Sequence, residues 1–160
     1  MFKFFKKENT QIYAVCSGEV KDISESVDTM FANKNMGDGI LIKPEENIIL
    51  APFDCEVIMI FPTGHAIGLK DKNGVELLIH IGIDTFAMEG EGFQIFVKKG
   101  QKIKKGQKIV KFDKQLIESK GYNSDILLVN TSSNCILKKN IECKCTTKDV
   151  VIEIKNQSIS

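Results

Sequence analysis

Apolar positions along this chain fall mostly into short runs rather than at helical spacing. The runs are rich in Val, Ile and Phe and are separated by Gly, Asn, Asp and Lys, as in residues 39–42, 55–61, 126–129 and 150–154. Short strands bounded by turn residues at such intervals are typical of all-β sandwiches and barrels. The pattern therefore predicts an all-β fold of that kind.

Two stretches depart from the strand pattern and predict short helical turns. One lies at about residues 27–34. The other covers residues 113–120, where Asp113 is placed to cap the first turn and Leu116 and Ile117 face inward. Gly121 follows as the residue that ends this helix.

The two histidines of the chain lie in apolar runs on either side of a turn signal, Asp71-Lys72-Asn73-Gly74. A four-residue loop would place His65 directly opposite His80. A two-residue turn would instead place His80 opposite Ile67, with His65 as its diagonal neighbour. Because side chains alternate between faces, both registers bring the two rings to one face, whereas a three-residue loop would separate them.

Imidazole can act as a nucleophile, an acid or base, or a metal ligand near neutral pH. The pair could therefore carry a phosphoryl group, bind zinc with Asp84 or an outside ligand, or support hydrolysis; two hydrogen-bonded structural histidines are the plain alternative. Gly64, Gly68 and Gly82 remove side chains around the rings, which favours a site that another molecule approaches. A compact site that includes Asp84 is disfavoured, because four residues of strand separate it from His80 by about 13 Å.

The composition is that of an ordinary soluble domain, with 42% apolar and 27% charged residues among 160. A net charge of +1 gives no bulk attraction to nucleic acid, and no apolar run approaches membrane-spanning length. The start, Met1-Phe2-Lys3-Phe4-Phe5-Lys6-Lys7, lacks the features of a signal peptide, which favours the cytoplasm. This basic, aromatic segment could make a weak contact with a membrane surface, with a frayed terminus as the plainer alternative.

The five cysteines are an odd number in a chain without a secretory signal, so we expect reduced thiols. Cys143 and Cys145 alternate onto one strand face. A C-x-C pair alone is a weak sign of a metal site, and buried or idle thiols fit better. Cys16 and Cys55 are expected to fill apolar space.

The tetrapeptide Gly-Gln-Lys-Ile occurs twice, at residues 100–103 and 106–109. Two copies are too few for a solenoid. We expect a hairpin turn between two short strands.

Several motifs, in order along the chain, resemble one known family. They are Phe31-Ala32-Asn33-Lys34, Gly37-Asp38-Gly39, Pro44, Ala51-Pro52, Thr63-Gly64-His65-Ala66, Gly74-Val75-Glu76-Leu77-Leu78-Ile79-His80-Ile81-Gly82-Ile83-Asp84-Thr85, Gly90-Glu91-Gly92-Phe93 and the run from Lys105-Gly106-Gln107 to Phe112-Asp113. The segment around His80 resembles the active-site signature of the glucose-family IIA component of the bacterial phosphoenolpyruvate:sugar phosphotransferase system. The similarity extends from about Ser17 to the final strand.

The resemblance implies a single-domain antiparallel β-sandwich over residues 11–160, preceded by a tail over residues 1–10. It also implies a phosphotransferase that works as a phosphoryl carrier and requires no cofactor. His80 would accept the phosphoryl group from the phosphohistidine of HPr at its Nε2 atom and pass it to the cysteine of the IIB domain of a glucose-type sugar permease. His65 would stabilise the phosphoryl group, and Thr63 would hydrogen-bond His65.

The same resemblance implies a partner-binding surface made of Asp28, Asp84, Phe61 and Met36. The two acidic residues would meet a basic patch on HPr, and Phe61 would line an apolar depression around the site. A regulatory module that docks on metabolic enzymes or permeases, with zinc shared through His65 and His80, stays open as an alternative. The chain departs from the family pattern at several positions, among them Asn35 and Phe86, and leaves the histidine pair intact.

Overall fold

The computed structural model describes residues 8–156, which form mostly short antiparallel strands. The strands are β1 (Thr10–Tyr13), β2 (Gly18–Asp22), β3 (Gly39–Pro44), β4 (Ile48–Leu50), β5 (Cys55–Ile60), β6 (Ala66–Lys70), β7 (Glu76–Ile81), β8 (Phe93–Ile95), β9 (Lys102–Ile103), β10 (Lys108–Phe112), β11 (Ile126–Asn130), β12 (Ile136–Lys139), β13 (Cys143–Cys145) and β14 (Val150–Ile154). The helices are α1 (Thr29–Ala32) and α2 (Lys114–Ser119), with 3₁₀ turns at Ile23–Glu25 and Thr85–Met88.

The strands form one large sheet and two small ones. The large sheet has eight strands in the order β13-β2-β3-β11-β7-β6-β5-β9, and the small sheets have the orders β1-β14-β12 and β4-β10-β8. One face of the large sheet packs against both small sheets around the main apolar core, which includes Ile12, Ile49, Ile79 and Phe112. This arrangement confirms the predicted antiparallel β-sandwich.

The opposite face of the large sheet carries a second, smaller apolar cluster. Leu41, Leu78 and Leu127 project from neighbouring strands on this face, and Phe31 of α1 packs on them. The segment around α1 therefore covers the outer face of the sheet beside β7.

Both helices lie within the stretches that the sequence predicts, and α2 begins after the predicted cap Asp113. The carboxylate of Asp28 accepts a hydrogen bond from the backbone N–H of Met30, and that of Asp113 accepts one from Leu116. These bonds satisfy N–H groups that have no partner within the helix. Gly121 follows α2 at φ +86°, in the left-handed region typical of a residue that ends a helix.

The register of the β6–β7 hairpin differs from both registers that the sequence predicts. Lys70 pairs with Glu76, so the loop has five residues and Ala66 lies opposite His80. The Asp71 side chain closes this loop by accepting from two backbone N–H groups, those of Asn73 and Val75, each at 2.9 Å. The predicted pairing of His80 with His65 or with Ile67 is therefore wrong.

The predicted hairpin between the two Gly-Gln-Lys-Ile copies is also wrong. β9 pairs with β5 at an edge of the large sheet, whereas β10 lies in a small sheet between β4 and β8. Each copy instead begins within a turn that connects different sheets.

The five cysteines are free thiols, as expected for reduced cysteines. Cys16 and Cys55 are buried in the main core, which confirms their predicted packing. Cys145 is buried but Cys143 is exposed, so the two do not pack alike.

Between residues 8 and 156 no helix is long and apolar enough to cross a membrane. The basic, aromatic segment Met1–Lys7 lies outside the described residues. β1 begins at Thr10, the last residue of the sequence-based tail.

Candidate functional site

His80 lies near the end of β7, on the outer face of the large sheet. Its ring Nδ1 is 2.7 Å from the carbonyl oxygen of Gly82. A carbonyl can only accept, so Nδ1 carries the proton and donates it. The tautomer is thereby fixed, and Nε2 keeps a lone pair for chemistry.

Gly82 can present this carbonyl because of its backbone conformation. Its φ is +72°, a region that costs residues with a Cβ about 1–2 kcal/mol. A Cβ at this position would also lie 2.4 Å from Thr85 Cγ2 and 2.9 Å from the Asn123 carbonyl oxygen. Only glycine fits both requirements without local rearrangement.

His65 reaches His80 from outside the regular strand. It precedes β6 and follows a turn at Gly64, where φ is +78°. The backbone N–H of Ile81 donates to the His65 carbonyl at 2.7 Å, which ties the end of this turn to β7. The two ring centroids lie 5.1 Å apart, nearly perpendicular at 81°. The turn therefore brings together two rings that regular alternation in this register would separate.

Thr63 lies beside the buried ring of His65, as predicted. Its hydroxyl oxygen is within hydrogen-bond reach of His65 Nδ1. His65 is only 4% exposed, so this contact provides a polar partner for a ring nitrogen that water hardly reaches.

Burial favours the neutral form of both rings. It lowers the pKa of His65 to about 4, and the neighbouring His80 contributes in the same direction. Burial also lowers the pKa of His80, although the Gly82 carbonyl and the charges of Asp28 and Asp84 oppose this. At neutral pH the site therefore holds two uncharged imidazoles.

An apolar depression of about 380 Å³ opens beside His80. Phe61 lines it, as predicted, together with Met36 and Phe31. The Phe31 ring lies 5.1 Å from the His80 ring, and the Phe61 ring lies 5.1 Å from the His65 ring. The aromatic walls account for much of the burial of the two imidazoles.

Phe31 was missed as a site residue by sequence reasoning. The sequence signal that could have found it is the helix cap at Asp28. The cap fixes where this short helix begins, and therefore which of its side chains turns inward.

The rim of the depression is apolar and exposed. Phe61 and Met36, which line the depression, are 43% and 40% exposed, and Phe86 is 60% exposed. The Phe86 ring lies 6.3 Å from that of His65, so this residue joins the rim. Exposed apolar side chains grouped around a site are typical of surfaces that bind other proteins or ligands.

Lys139 holds both ends of the segment that carries Phe31 and Met36. Its Nζ lies 2.5 Å from Asp22 Oδ1 and 2.7 Å from Asp38 Oδ1, and these carboxylates flank the segment. Burial works to raise the pKa of Asp22, but the hydrogen bonds from Lys139 and Ser24 outweigh it and lower that pKa to about 2. This lysine, too, was missed from the sequence, because it lies 101 residues from Asp38 along the chain.

The three glycines near the rings serve different purposes from those expected. A Cβ at Gly64 would meet Ile95 and Phe93, one at Gly68 would meet Met59 at 3.2 Å, and one at Gly82 would meet Thr85. Internal packing therefore applies to all three glycines, and Gly68 also lines the depression.

Within residues 8–156 no group of three or more His, Cys, Asp or Glu side chains is placed to hold a metal ion. Two imidazoles are fewer ligands than a protein zinc site normally supplies. A metal at His65 and His80 would therefore take its other ligands from outside residues 8–156.

Comparison with known proteins gives a consistent result. Residues 10–136 match the family described as phosphoenolpyruvate-dependent sugar phosphotransferase system, EIIA 1. The chain is 41% identical over 149 residues to the glucose-specific EIIA component of the same system from Bacillus cereus, which covers 91% of this chain and 90% of that protein. It is 49% identical over 123 residues to the glucose-specific EIICBA component from Staphylococcus carnosus, covering 77% of this chain and 18% of that protein.

The fold is similar to a solved structure, the glucose permease IIA from Mycoplasma capricolum. The TM-score is 0.85 at 32% identity, and the match covers 96% of this chain and all of the other. The chain therefore belongs to the EIIA 1 family of the phosphoenolpyruvate-dependent sugar phosphotransferase system, and it is a phosphoryl carrier of sugar uptake.

Proposed function

We propose that His80 is the residue on which this carrier holds the phosphoryl group, and that the donor is the phosphohistidine of HPr. The observation that carries the proposal is the hydrogen bond from His80 Nδ1 to the Gly82 carbonyl. It leaves Nε2 as the nucleophile. The Nε2 lone pair attacks phosphorus, the phosphorus–nitrogen bond of the donor breaks, and its electron pair returns to the donor imidazole.

The electrostatics of the site support this role. A nucleophilic imidazole must be neutral, and burial lowers the pKa of His80. The Gly82 carbonyl also stabilises the ring once it bears a phosphoryl group, because the Nδ1–H bond can strengthen as positive charge develops on the ring.

Onward transfer reverses the chemistry at His80. The thiolate of the IIB cysteine attacks phosphorus, the bond to Nε2 breaks, and its electron pair returns to the imidazole. The EIICBA relative from Staphylococcus carnosus, whose name joins IIA to the other two components, supports IIB as the acceptor.

We assign the supporting role to His65. With the Thr63 hydroxyl donating to Nδ1, the His65 proton lies on Nε2 and can donate to a phosphoryl oxygen. A donor held in place by the fold stabilises the charge on the transferring group without further reorganisation. No metal or other cofactor takes part in this step.

Partner docking is assigned to the exposed rim. Phe61 and Met36 offer apolar contact, and Asp28 and Asp84 lie close enough to His80 to influence its pKa. Acidic side chains at this position would attract a basic patch on HPr and favour rapid, oriented encounter. We place these reactions in the cytoplasm, where we expect HPr to meet the carrier.

The experiment that tests the proposal is phosphorylation by phosphoenolpyruvate, enzyme I and HPr, followed by mass spectrometry of the modified peptide. One phosphoryl group should map to His80, and His80→Ala should accept none. His65→Ala is the matched control, since it should accept the group but pass it to IIB poorly. Phosphorylation of His80→Ala would overturn the assignment, and equal onward transfer by His65→Ala would overturn the role of the second ring.

A regulatory role is the second candidate, favoured by the size of the exposed apolar rim. A partner that docks there would distinguish the free carrier from one with a dianionic phosphoryl group on His80. A zinc ion shared with such a partner would use His65 and His80 as two of its ligands. Pull-down of metabolic enzymes and permeases with both forms tests this, and partners retained equally by both would contradict a switch.

A further inference from the structure

The segment that contains the two Gly-Gln-Lys-Ile copies is a tandem hexapeptide. Residues 98–103 and 104–109 have the same sequence, Lys-Lys-Gly-Gln-Lys-Ile. Residues 98–111 hold seven lysines and no acidic residue. Neither carrier chemistry nor the rim around the histidines uses this segment.

The two copies fold into two equivalent turns. In the first, Gly100 N–H donates to the Val57 carbonyl at 2.7 Å, and Val57 N–H donates to the Gln101 carbonyl at 2.9 Å. In the second, Gly106 and Gln107 make the same pair of bonds with Ala51, at 2.9 and 2.8 Å.

The side chains of the repeat divide into two groups. Ile103 and Ile109 are buried and anchor the copies in the main core. The six lysines of the repeat are all exposed: Lys98, Lys99, Lys102, Lys104, Lys105 and Lys108. The two turns thus hold the backbone of six exposed lysines within twelve residues of chain, and we call these six residues the lysine array.

Most of this charge has no counterpart within the described part of the chain. Lys104 lies 3.8 Å from Asp54, and Lys105 lies over the Tyr13 ring at 3.3 Å from its centroid. In residues 8–156 no carboxylate lies within 4 Å of Lys98, Lys99 or Lys102. An adjoining depression of about 430 Å³ adds Lys70 and Lys72, and its acidic members are Asp54, Glu56 and Asp71.

This lysine array lies at the end of the large sheet away from the histidines. β6 runs from Ala66, opposite His80, to Lys70, a span of about 13 Å. β9 pairs with the start of β5, at Cys55 and Glu56, whereas the other end of β5 leads to Phe61. A surface bound to the array would leave the histidine site open to partners.

The described part of the chain starts at the same end, just before β1. The Thr10 hydroxyl donates to Asp71 at 2.6 Å, next to Lys70 and Lys72. The seven residues before Glu8 include three phenylalanines and three lysines. A combination of cationic and aromatic residues fits a lipid surface, where charge meets headgroups and rings enter the interface.

We propose that the lysine array formed by the tandem hexapeptide, together with Lys70 and Lys72, is a docking surface for anionic phospholipid headgroups. Several lysines of the array can interact with such a surface at the same time. Each lysine near an anionic membrane strengthens binding by about fivefold. Binding weakens with salt, because exposed charges are screened within about 10 Å at 0.1 M ionic strength.

The test is co-sedimentation of the full chain with vesicles of phosphatidylcholine containing about one third phosphatidylglycerol, against vesicles of phosphatidylcholine alone. The test variant combines Lys98→Gln, Lys99→Gln and Lys102→Gln. The control variant combines Lys138→Gln, Lys144→Gln and Lys148→Gln, which are exposed, and Lys144 lies in β13 at the opposite edge of the large sheet. Both variants change the net charge from +1 to −2, since each loses three lysines.

We expect the test variant to lose roughly a hundredfold in partition onto the anionic vesicles and the control variant to keep most of it. Phosphoryl acceptance and the melting temperature should be unchanged in both, because the substituted side chains are exposed. An equal loss in both variants would overturn the proposal. So would binding that only Lys3→Gln, Lys6→Gln and Lys7→Gln abolish, or a preference for duplex DNA over the anionic vesicles.

Discussion

Lys139 Nζ lies 2.7 Å from Asp38 Oδ1, and through this contact a strand of a small sheet holds the segment that covers His80. The same nitrogen contacts Asp22 at the other end of that segment. One cation therefore bridges two carboxylates, and Asp38 has a second cationic partner in Lys34, whose Nζ lies 3.4 Å from Asp38 Oδ1.

We expect Lys139→Met to lower the free energy of unfolding by about 2 kcal/mol, since two charge-assisted hydrogen bonds are lost. Hydrogen exchange should rise in residues 23–37 more than in β7. Lys139→Arg keeps the charge and should restore most of the protection. Uniform exchange over the whole domain would contradict a local role for the lysine.

Gly82→Ala should destabilise the fold and impair phosphoryl transfer. The positive φ and the contact with Thr85 together predict a loss of about 3 kcal/mol in the free energy of unfolding. Transfer should fall because the carbonyl that holds His80 Nδ1 is displaced.

Gly74→Ala is the matched control for that substitution. Gly74 has φ +84°, but nothing lies within 4 Å of an added Cβ. It should cost only about 1 kcal/mol, from its backbone conformation, and leave transfer intact. Urea unfolding and the rate of phosphoryl acceptance from HPr distinguish the two variants. Equal effects of Gly82→Ala and Gly74→Ala would mean that the backbone conformation alone matters.

The depressed pKa of His65 predicts a pH-dependent stability. Its folded pKa is about 4 and its ordinary value is 6.5, so between these values the unfolded chain binds more protons than the folded one. This contribution, about 3 kcal/mol, is complete above about pH 6.5 and is lost as the pH falls toward 4. The stability difference between the wild type and His65→Gln, measured by urea unfolding, should therefore shrink on acidification. A difference that is constant with pH would show that His65 is not held neutral.

Thr63→Val should slow transfer from His80 to IIB by about tenfold, the equivalent of one lost hydrogen bond to the positioned His65 ring. Acceptance from HPr should change less. Thr63→Ser keeps the hydroxyl and should behave nearly as the wild type in single-turnover assays. If the serine variant is as slow as the valine variant, packing of the threonine methyl group matters rather than its hydroxyl.

Charge at the rim should govern encounter with HPr. Asp28→Asn with Asp84→Asn preserves local structure, because asparagine can cap α1 and tolerates the φ of +60° at residue 84. The association rate should fall several-fold and lose much of its dependence on salt, with less change in dissociation. Asp54→Asn, beside Lys104 at the far end of the large sheet, is the control and should have no effect in stopped-flow experiments.

The sequence predicts much of this fold because strand runs and caps are local signals. The apolar runs and the capping aspartate Asp113 appear in the structure where the pattern places them, whereas the cap at Asp28 was not predicted. The hairpin register was wrong because the Asp71 side chain closes a five-residue loop, and turn propensities do not report such a bond.

The two histidines were expected on one face because of strand alternation, but the structure brings them together in a different way. In the observed register, regular alternation would send His65 away from His80, and the turn at Gly64 overrides it. The ties that shape the site, such as Ile81 N–H to the His65 carbonyl and Lys139 to Asp38, join residues distant in sequence. A pattern read along one chain carries no signal for them.

The outer strands of the large sheet have a consequence for how copies of this protein meet. β9 has two residues and includes Lys102, and β13 has three and includes Lys144. Short edges that carry lysine offer little unpaired backbone for another sheet to extend, a device that limits strand-to-strand aggregation. A carrier that exchanges partners throughout its working cycle is thereby protected from adhering to itself through its backbone, and recognition is left to side chains.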